Sequence, residues 1–116
     1  MTSEQQEFGA RMFGALANPA RLRILERLAE GAAPVKTIAQ DAGLKQSMAS
    51  QHLSVLFAAG TVVYKSNGNQ RVYSLRGPRI ARILELAEEF HEVHLQYLRE
   101  LLDRHPAGNG SRRNTD

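Results

Sequence analysis

Apolar residues recur every three or four positions over the first sixty residues, give way to a short alternating stretch, and return to a helical period near the end. Phe8, Met12, Phe13 and Leu16 mark the first stripe and predict a helix from about Glu4 to Leu16. The run NPARLRILERLAEG offers Asn18 as a capping residue and Pro19 at the first helical position, where a missing N–H does no harm. Leu22, Ile24, Leu25 and Leu28 are its expected buried side and Gly31 its stop. A short third helix is expected in PVKTIAQDAGL, with Val35, Ile38 and Ala39 facing inward and Gly43 ending it. The fourth is expected from about Gln46 to Ala59, stopped by Gly60.

After Gly60 the period becomes two. Val62 to Ser66 and Arg71 to Leu75 are β-branched and aromatic runs separated by NGNQ, in which Asn67-Gly68 favours the positive φ of a tight hairpin. A lone hairpin is marginal in water, so it must lean on the helices. Gly77-Pro78 breaks the chain before a last helix that ends near His105. Pro106 to Asp116 lacks large apolar residues and is expected to be a disordered tail, leaving residues 1–105 as the folded domain. The fold class that follows is mainly α with a small β-hairpin.

The fourth helix has two characters. Its closing half, with Leu53, Val55, Leu56 and Phe57, is built to anchor in a core; its opening half, with Gln46, Ser47, Ser50, Gln51 and His52, is made of hydrogen-bonding groups. A helix joined to its predecessor by so short a turn, and polar at its front, matches the helix-turn-helix design. Held by its apolar half, such a helix can enter the major groove of DNA. Gln46 and Gln51 can pair bidentately with adenine, Ser47 and Ser50 can bond bases or phosphates, and Met48 can meet a thymine methyl. The alternative is structural: Ser47 as a cap, Met48 turned inward, solvated glutamines, and His52 as a packed or capping histidine. The hairpin would lie beside this helix as a wing, with Lys65 and Arg71 supplying charge and Asn67, Gly68 and Asn69 the tip.

Composition narrows the chemistry. The 116 residues include no cysteine, which removes disulfides, thiolate ligands and cysteine nucleophiles. No phosphate-cradling glycine loop or Ser/His/Asp arrangement emerges, so an enzyme is not expected. The first residues are acidic where a secretory signal would be basic, and no window is apolar enough to cross a bilayer, so a cytoplasmic protein without a membrane role is expected. Residues 1–77 carry nine Lys/Arg against five Asp/Glu, net +4, whereas residues 78–105 carry four against six, net −2. Basic character therefore accompanies the helix-turn-helix, in keeping with a polyanionic partner.

In the last helix, twelve apolar residues from Ile80 to Leu102 occupy a broad arc of about 200°, wider than a domain this small covers. A second copy of the helix is the natural cover and predicts a homodimer. His94 falls near the centre of that arc, His91 lies three residues earlier, and Glu88 continues the row. Two imidazoles at this spacing can converge on a divalent ion such as zinc, nickel or cobalt. A hydrogen-bonded interface histidine is the plainer alternative.

The run FGALANPARLRILERLAEG, and above all SMASQHLSVLFAAGTVVYKSNGNQRVYSL, resembles the ArsR/SmtB family of bacterial winged helix-turn-helix repressors across essentially all of residues 8–103. The resemblance implies a homodimer joined through its terminal helices, binding to double-stranded operator DNA, and release by an inducer, commonly a metal ion. Metal sensors of that family that use the last helix commonly pair Asp-x-His near its start with His-x-x-His or His-x-x-Glu further on, drawn from both subunits. His91 and His94 match the second pair, but Pro78 and Ile80 stand where the first would be, so half of that site is missing. A companion protein that completes the ligands, or a winged-helix module that binds protein rather than DNA, are the alternatives left open.

Overall fold

A computed structural model describes residues 1–104; the expected tail over Pro106–Asp116 lies outside the described residues. The elements run α1 (Ser3–Leu16), α2 (Pro19–Ala29), β1 (Ala33–Pro34), α3 (Val35–Ala42), α4 (Gln46–Ala58), β2 (Val62–Asn67), β3 (Gln70–Leu75) and α5 (Pro78–Arg104). Contacts divide the chain into two compact units, Met1–Arg82 and a second beginning at Ile83.

The first unit is built largely as the hydrophobic pattern predicts, with three differences outside α4. Asn18 caps α2 by accepting from the Arg21 N–H, and Pro19 opens the helix. Leu22, expected on the buried side, is 38% exposed. At about 100° per residue it falls far around the helix from the centre of Ile24, Leu25 and Leu28, and Arg21 takes the inward position instead. Arg21 Nε donates to the Ala15 carbonyl at 2.6 Å, so its stem packs while its donors are satisfied. The second difference lies at the N-terminus, where Thr2 and Gln5 form a reciprocal capping box in front of α1.

The third is the sheet. Ala33 and Pro34 pair antiparallel with Tyr73 and Val72, giving three strands in the order β1-β3-β2 rather than a bare hairpin. Pro34 sits on the edge strand, where its missing N–H breaks no ladder bond. Ile24, Leu25, Ile38, Leu53, Leu56 and Val62 are at most 1% exposed and form the centre of the core beneath this sheet. Thr61 is buried beside them with its hydroxyl donating to the Leu56 carbonyl at 3.0 Å.

The second unit consists of the rest of α5. No residue of α5 is buried, and Leu86, Phe90, Val93, Tyr97, Leu98 and Leu102 are among the exposed large apolar side chains. On α1 of the first unit, Phe8 and Phe13 are also more than half exposed. No helix among the described residues is long and apolar enough to cross a membrane.

Candidate nucleic-acid interface

The turn that presents α4 is fixed by backbone chemistry. Gly43 adopts φ 68°, its N–H bonds the Gln40 carbonyl at 3.3 Å and the Leu44 N–H reaches back to Ala39 at 2.9 Å. This left-handed C-terminal motif costs a side-chain-bearing residue strain, which is why glycine stands there. From α2, Arg23 Nε donates to the Ala42 carbonyl at 3.0 Å and Arg27 Nε to Asp41 Oδ2 at 2.6 Å. Asp41 is half exposed, so the ion pair is worth little in stability; the two bonds orient α3 against α2. Arg21, Arg23 and Arg27 are thus engaged within the fold, and much of the basic excess of this region serves packing.

On α4 the anchor is Ala49, Leu53 and Leu56, all fully buried at i, i+4 and i+7. Opposite it, at about 100° per residue, Ser47, Ser50, Gln51 and Ser54 form one exposed stripe. Gln46 and Met48, both exposed, flank the stripe on either side. Met48 does not turn inward; it is 43% exposed. Ser47 does not cap the helix: Lys45 occupies the N-cap position, and no side chain bonds the first-turn N–H groups. Val55 and Phe57, expected in the anchor, are instead 42% and 47% exposed, because only residues near the Leu53 meridian meet the core. Ser54 extends the stripe beyond the residues that the sequence pattern singles out, and its position one turn beyond Ser50 is the signal that marks it. His52 is half-buried, with Nδ1 3.4 Å from Arg21 Nη1, a packed histidine as the structural alternative had it.

The hairpin closes where Asn67 pairs with Gln70, so the two-residue loop is Gly68-Asn69, with Gly68 at φ 65°. The register also separates its two cations. Cross-strand partners share a face and successive residues alternate, so Tyr64, Ser66, Arg71 and Tyr73 lie on one face, Lys65 and Val72 on the other. Arg71 and Lys65 therefore serve different surfaces. The Arg71 face carries an aromatic ladder, with centroids 5.1 Å apart from Phe57 to Tyr64 and 5.3 Å from Tyr64 to Tyr73. The Arg71 guanidinium carbon stands 4.3 Å from the Tyr64 ring centroid. Its pKa is pushed up, first by hydrogen bonding to Tyr73 and then by charge interaction with Tyr64.

Between α4 and the hairpin lies a notch of about 310 Å³ lined by, among others, Lys36, Gln46, Ser50, Ser54, Arg71 and Tyr73. Two cations and several amide and hydroxyl groups face one concavity without a carboxylate among its lining residues. Lys36 is a second residue that sequence reasoning missed, since only the packing of α3 beside the sheet brings it here.

On α5, Glu88, His91 and His94 are all exposed. Helical rise puts residues six apart about 9 Å apart along the axis, so Glu88 and His94 do not share one ion on one helix. Neighbouring pairs three apart can. Among the described residues no group of three or more His, Asp or Glu is placed to hold a metal.

A helix-turn-helix with an exposed polar stripe, followed by a paired hairpin, defines a winged helix-turn-helix protein. A family model described as a helix-turn-helix domain matches residues 16–62. Among curated proteins, the chain is 43% identical over 81 residues to the HTH-type transcriptional regulator Rv0081 of Mycobacterium tuberculosis, covering 69% of this chain and 71% of that one. It is 42% identical over 93 residues to the HTH-type transcriptional regulator NmtR of the same organism, covering 80% and 75%. Among solved structures, the homodimeric winged helix-turn-helix DNA-binding domain of a possible ArsR-family regulator from Mycobacterium bovis superposes with TM-score 0.74 at 31% identity, over 84% of this chain and 93% of that one. The AntR antimony-specific transcriptional repressor does so with TM-score 0.71 at 31% identity, over 82% and 86%. The chain belongs to the ArsR family of winged helix-turn-helix transcriptional regulators. These relatives are regulators of transcription and not enzymes.

Proposed function

We propose that this chain is a homodimeric repressor that reads operator DNA with α4 and steadies itself on the duplex with the wing. The observation that carries the reading is the division of α4 into a fully buried line, Ala49, Leu53 and Leu56, and an opposite, exposed stripe of amides and hydroxyls. Gln46, Ser47, Met48, Ser50 and Gln51 would meet the major groove, and Lys65, Asn67, Gly68, Asn69 and Arg71 would meet the flanking backbone or minor groove. The uncapped first turn of α4 favours an anionic phosphate near it.

Homodimerisation is supported by the exposed apolar residues of α5 and by the homodimeric relative. A symmetric pair spaces two copies of α4 for successive major grooves, which sets the half-site separation. Cytoplasmic location follows from the DNA target.

An inducer that loosens DNA binding completes the proposal, with a divalent metal as the candidate class. The antimony-specific relative supports a metal or metalloid effector. The nitrogen and oxygen donors of His91 with either His94 or Glu88 suit zinc, nickel or cobalt, and one helix supplies two ligands at most to each ion. The remaining ligands would come from a second copy or a companion protein. An ion acts as an inducer only through different affinities for the DNA-bound and free states.

The test is selection of duplexes from a random pool by the purified protein, followed by binding across a salt series. Specific binding predicts one enriched, two-fold symmetric sequence and affinity that falls steeply with salt. A pool without enrichment, or salt-insensitive binding, would favour a protein-interaction module instead.

A further inference from the structure

We propose that the notch between α4 and the wing is a seat for one backbone phosphate of the duplex, gripped by Lys36 and by an Arg71 guanidinium that Tyr64 and Tyr73 hold in place. The inference rests on the DNA-binding reading above and gives it a second site with its own ligand class, a phosphodiester.

Lys36, from the start of α3, and Arg71, from β3, line one concavity that contains no carboxylate. Their convergence joins parts of the chain 35 residues apart, and both side chains are exposed to solvent. Within the notch, Ser54 donates its hydroxyl proton to the Ser50 carbonyl at 3.1 Å and so has none to give an anion. The Ser50 hydroxyl and the Gln46, Asn69 and Gln70 amides are neutral donors in the lining that can share the ligand.

Arg71 is not a free surface cation. It lies over Tyr64 at 4.3 Å, and Tyr64 is braced between Phe57 of α4 and Tyr73 of β3 at 5.1 and 5.3 Å. Tyr73 is only 4% exposed, so the ladder is rooted in the core. An arginine already stacked has less rotamer freedom to lose on meeting a phosphate. Tyr64 is therefore a positioning residue, acting through Arg71.

The placement decides between phosphate and base. A helix lying in the major groove is bounded on each side by a sugar–phosphate strand, and the notch opens between that helix and the wing, where such a strand passes. A cation there fixes register and contributes affinity without reading sequence.

The experiment uses the full chain, a duplex that the wild-type protein selects from a random pool, and an unselected duplex of equal length, with affinities measured across a salt series. Lys36→Ala and Arg71→Ala are each expected to lower the slope of log affinity against log salt by about one per subunit, and to weaken both duplexes by the same factor. Tyr64→Phe keeps the ring and is expected to match wild type, whereas Tyr64→Leu moves towards Arg71→Ala. Unchanged slopes in both cation variants would overturn the seat. So would an Arg71→Ala loss confined to the selected duplex, which would make Arg71 a reader of sequence. A wild-type protein that enriches no duplex at all would overturn the repressor reading, and the seat with it.

Discussion

Leu53 and Gln51 are two residues apart on α4, yet substituting them should damage different properties. Leu53 is fully buried at the centre of the anchor. Leu53→Ala removes three carbons, about 2.4 kcal/mol of transfer free energy at ~0.8 kcal/mol each. Incomplete collapse around a cavity of roughly 50 Å³ adds about 1 kcal/mol, giving a loss of about 3 to 4 kcal/mol in stability. For a domain of this size the midpoint of thermal unfolding should fall by roughly 12 to 30 °C. Gln51 is exposed on the opposite stripe, and Gln51→Ala should change stability by less than about 0.5 kcal/mol. It should instead weaken the selected duplex by about 1 to 3 kcal/mol and relax preference at one base pair. Circular dichroism melts at fixed protein concentration, with anisotropy titrations of both duplexes, measure the two effects separately. A Leu53→Ala variant that melts within a few degrees of wild type, or a Gln51→Ala variant that unfolds early and binds DNA normally, would refute the assignment of the two faces.

Asn18→Ala should cost about 1 kcal/mol through loss of its bond to the Arg21 N–H, read from the same melts. Gly68→Val places a β-branched residue at φ 65° and should destabilise the hairpin by roughly 1 to 3 kcal/mol, seen as faster amide exchange across β2 and β3. Val93→Glu puts a charge on the exposed apolar face of α5 and is expected to halve the mass found by sedimentation and to abolish specific DNA binding; an unaltered mass would count against α5 as the dimer seam. In titrations with zinc, nickel and cobalt, His91→Ala and His94→Ala should each reduce bound metal per chain, and unchanged stoichiometry in both would eliminate that pair.

Local signals told most of the fold in advance. Asn18-Pro19, Gly43, Gly60 and Gly68 each impose a backbone conformation through their own chemistry, so they act as punctuation whatever the tertiary context, although the loop is Gly68-Asn69, one residue later than the expected Asn67-Gly68. What the sequence concealed depends on packing between distant segments. Ala33-Pro34 has no strand-like alternation and becomes a strand only because β3 runs beside it. Leu22, Val55 and Phe57 satisfy a count of apolar residues, but the direction of each side chain around its helix leaves it outside the core. In the candidate interface the polar front of α4 was legible because amphipathic contrast lies within one element. Lys36 and Ser54 were not, since their relation to Arg71 exists only once α3, α4 and the sheet are assembled. The opposite facing of Lys65 and Arg71 needed the pairing register, because a loop of even length puts these two residues on opposite faces and one of odd length puts them on the same face.

The small strand β1 changes how the wing carries load. Its second residue, Pro34, pairs with Val72 and is also the residue from which α3 starts. The hairpin is thus bolted at mid-strand, through Val72 and Tyr73, to the base of the helix-turn-helix, and ends in the two-residue tip of Gly68 and Asn69. It is a cantilever: a push on the tip is delivered as torque to the first turn of α3, with little slack between. If α4 seats in a groove as proposed, the outrigger would arrive at a fixed span, and a helical ladder of DNA whose dimensions differ from that span would itself have to bend to meet it.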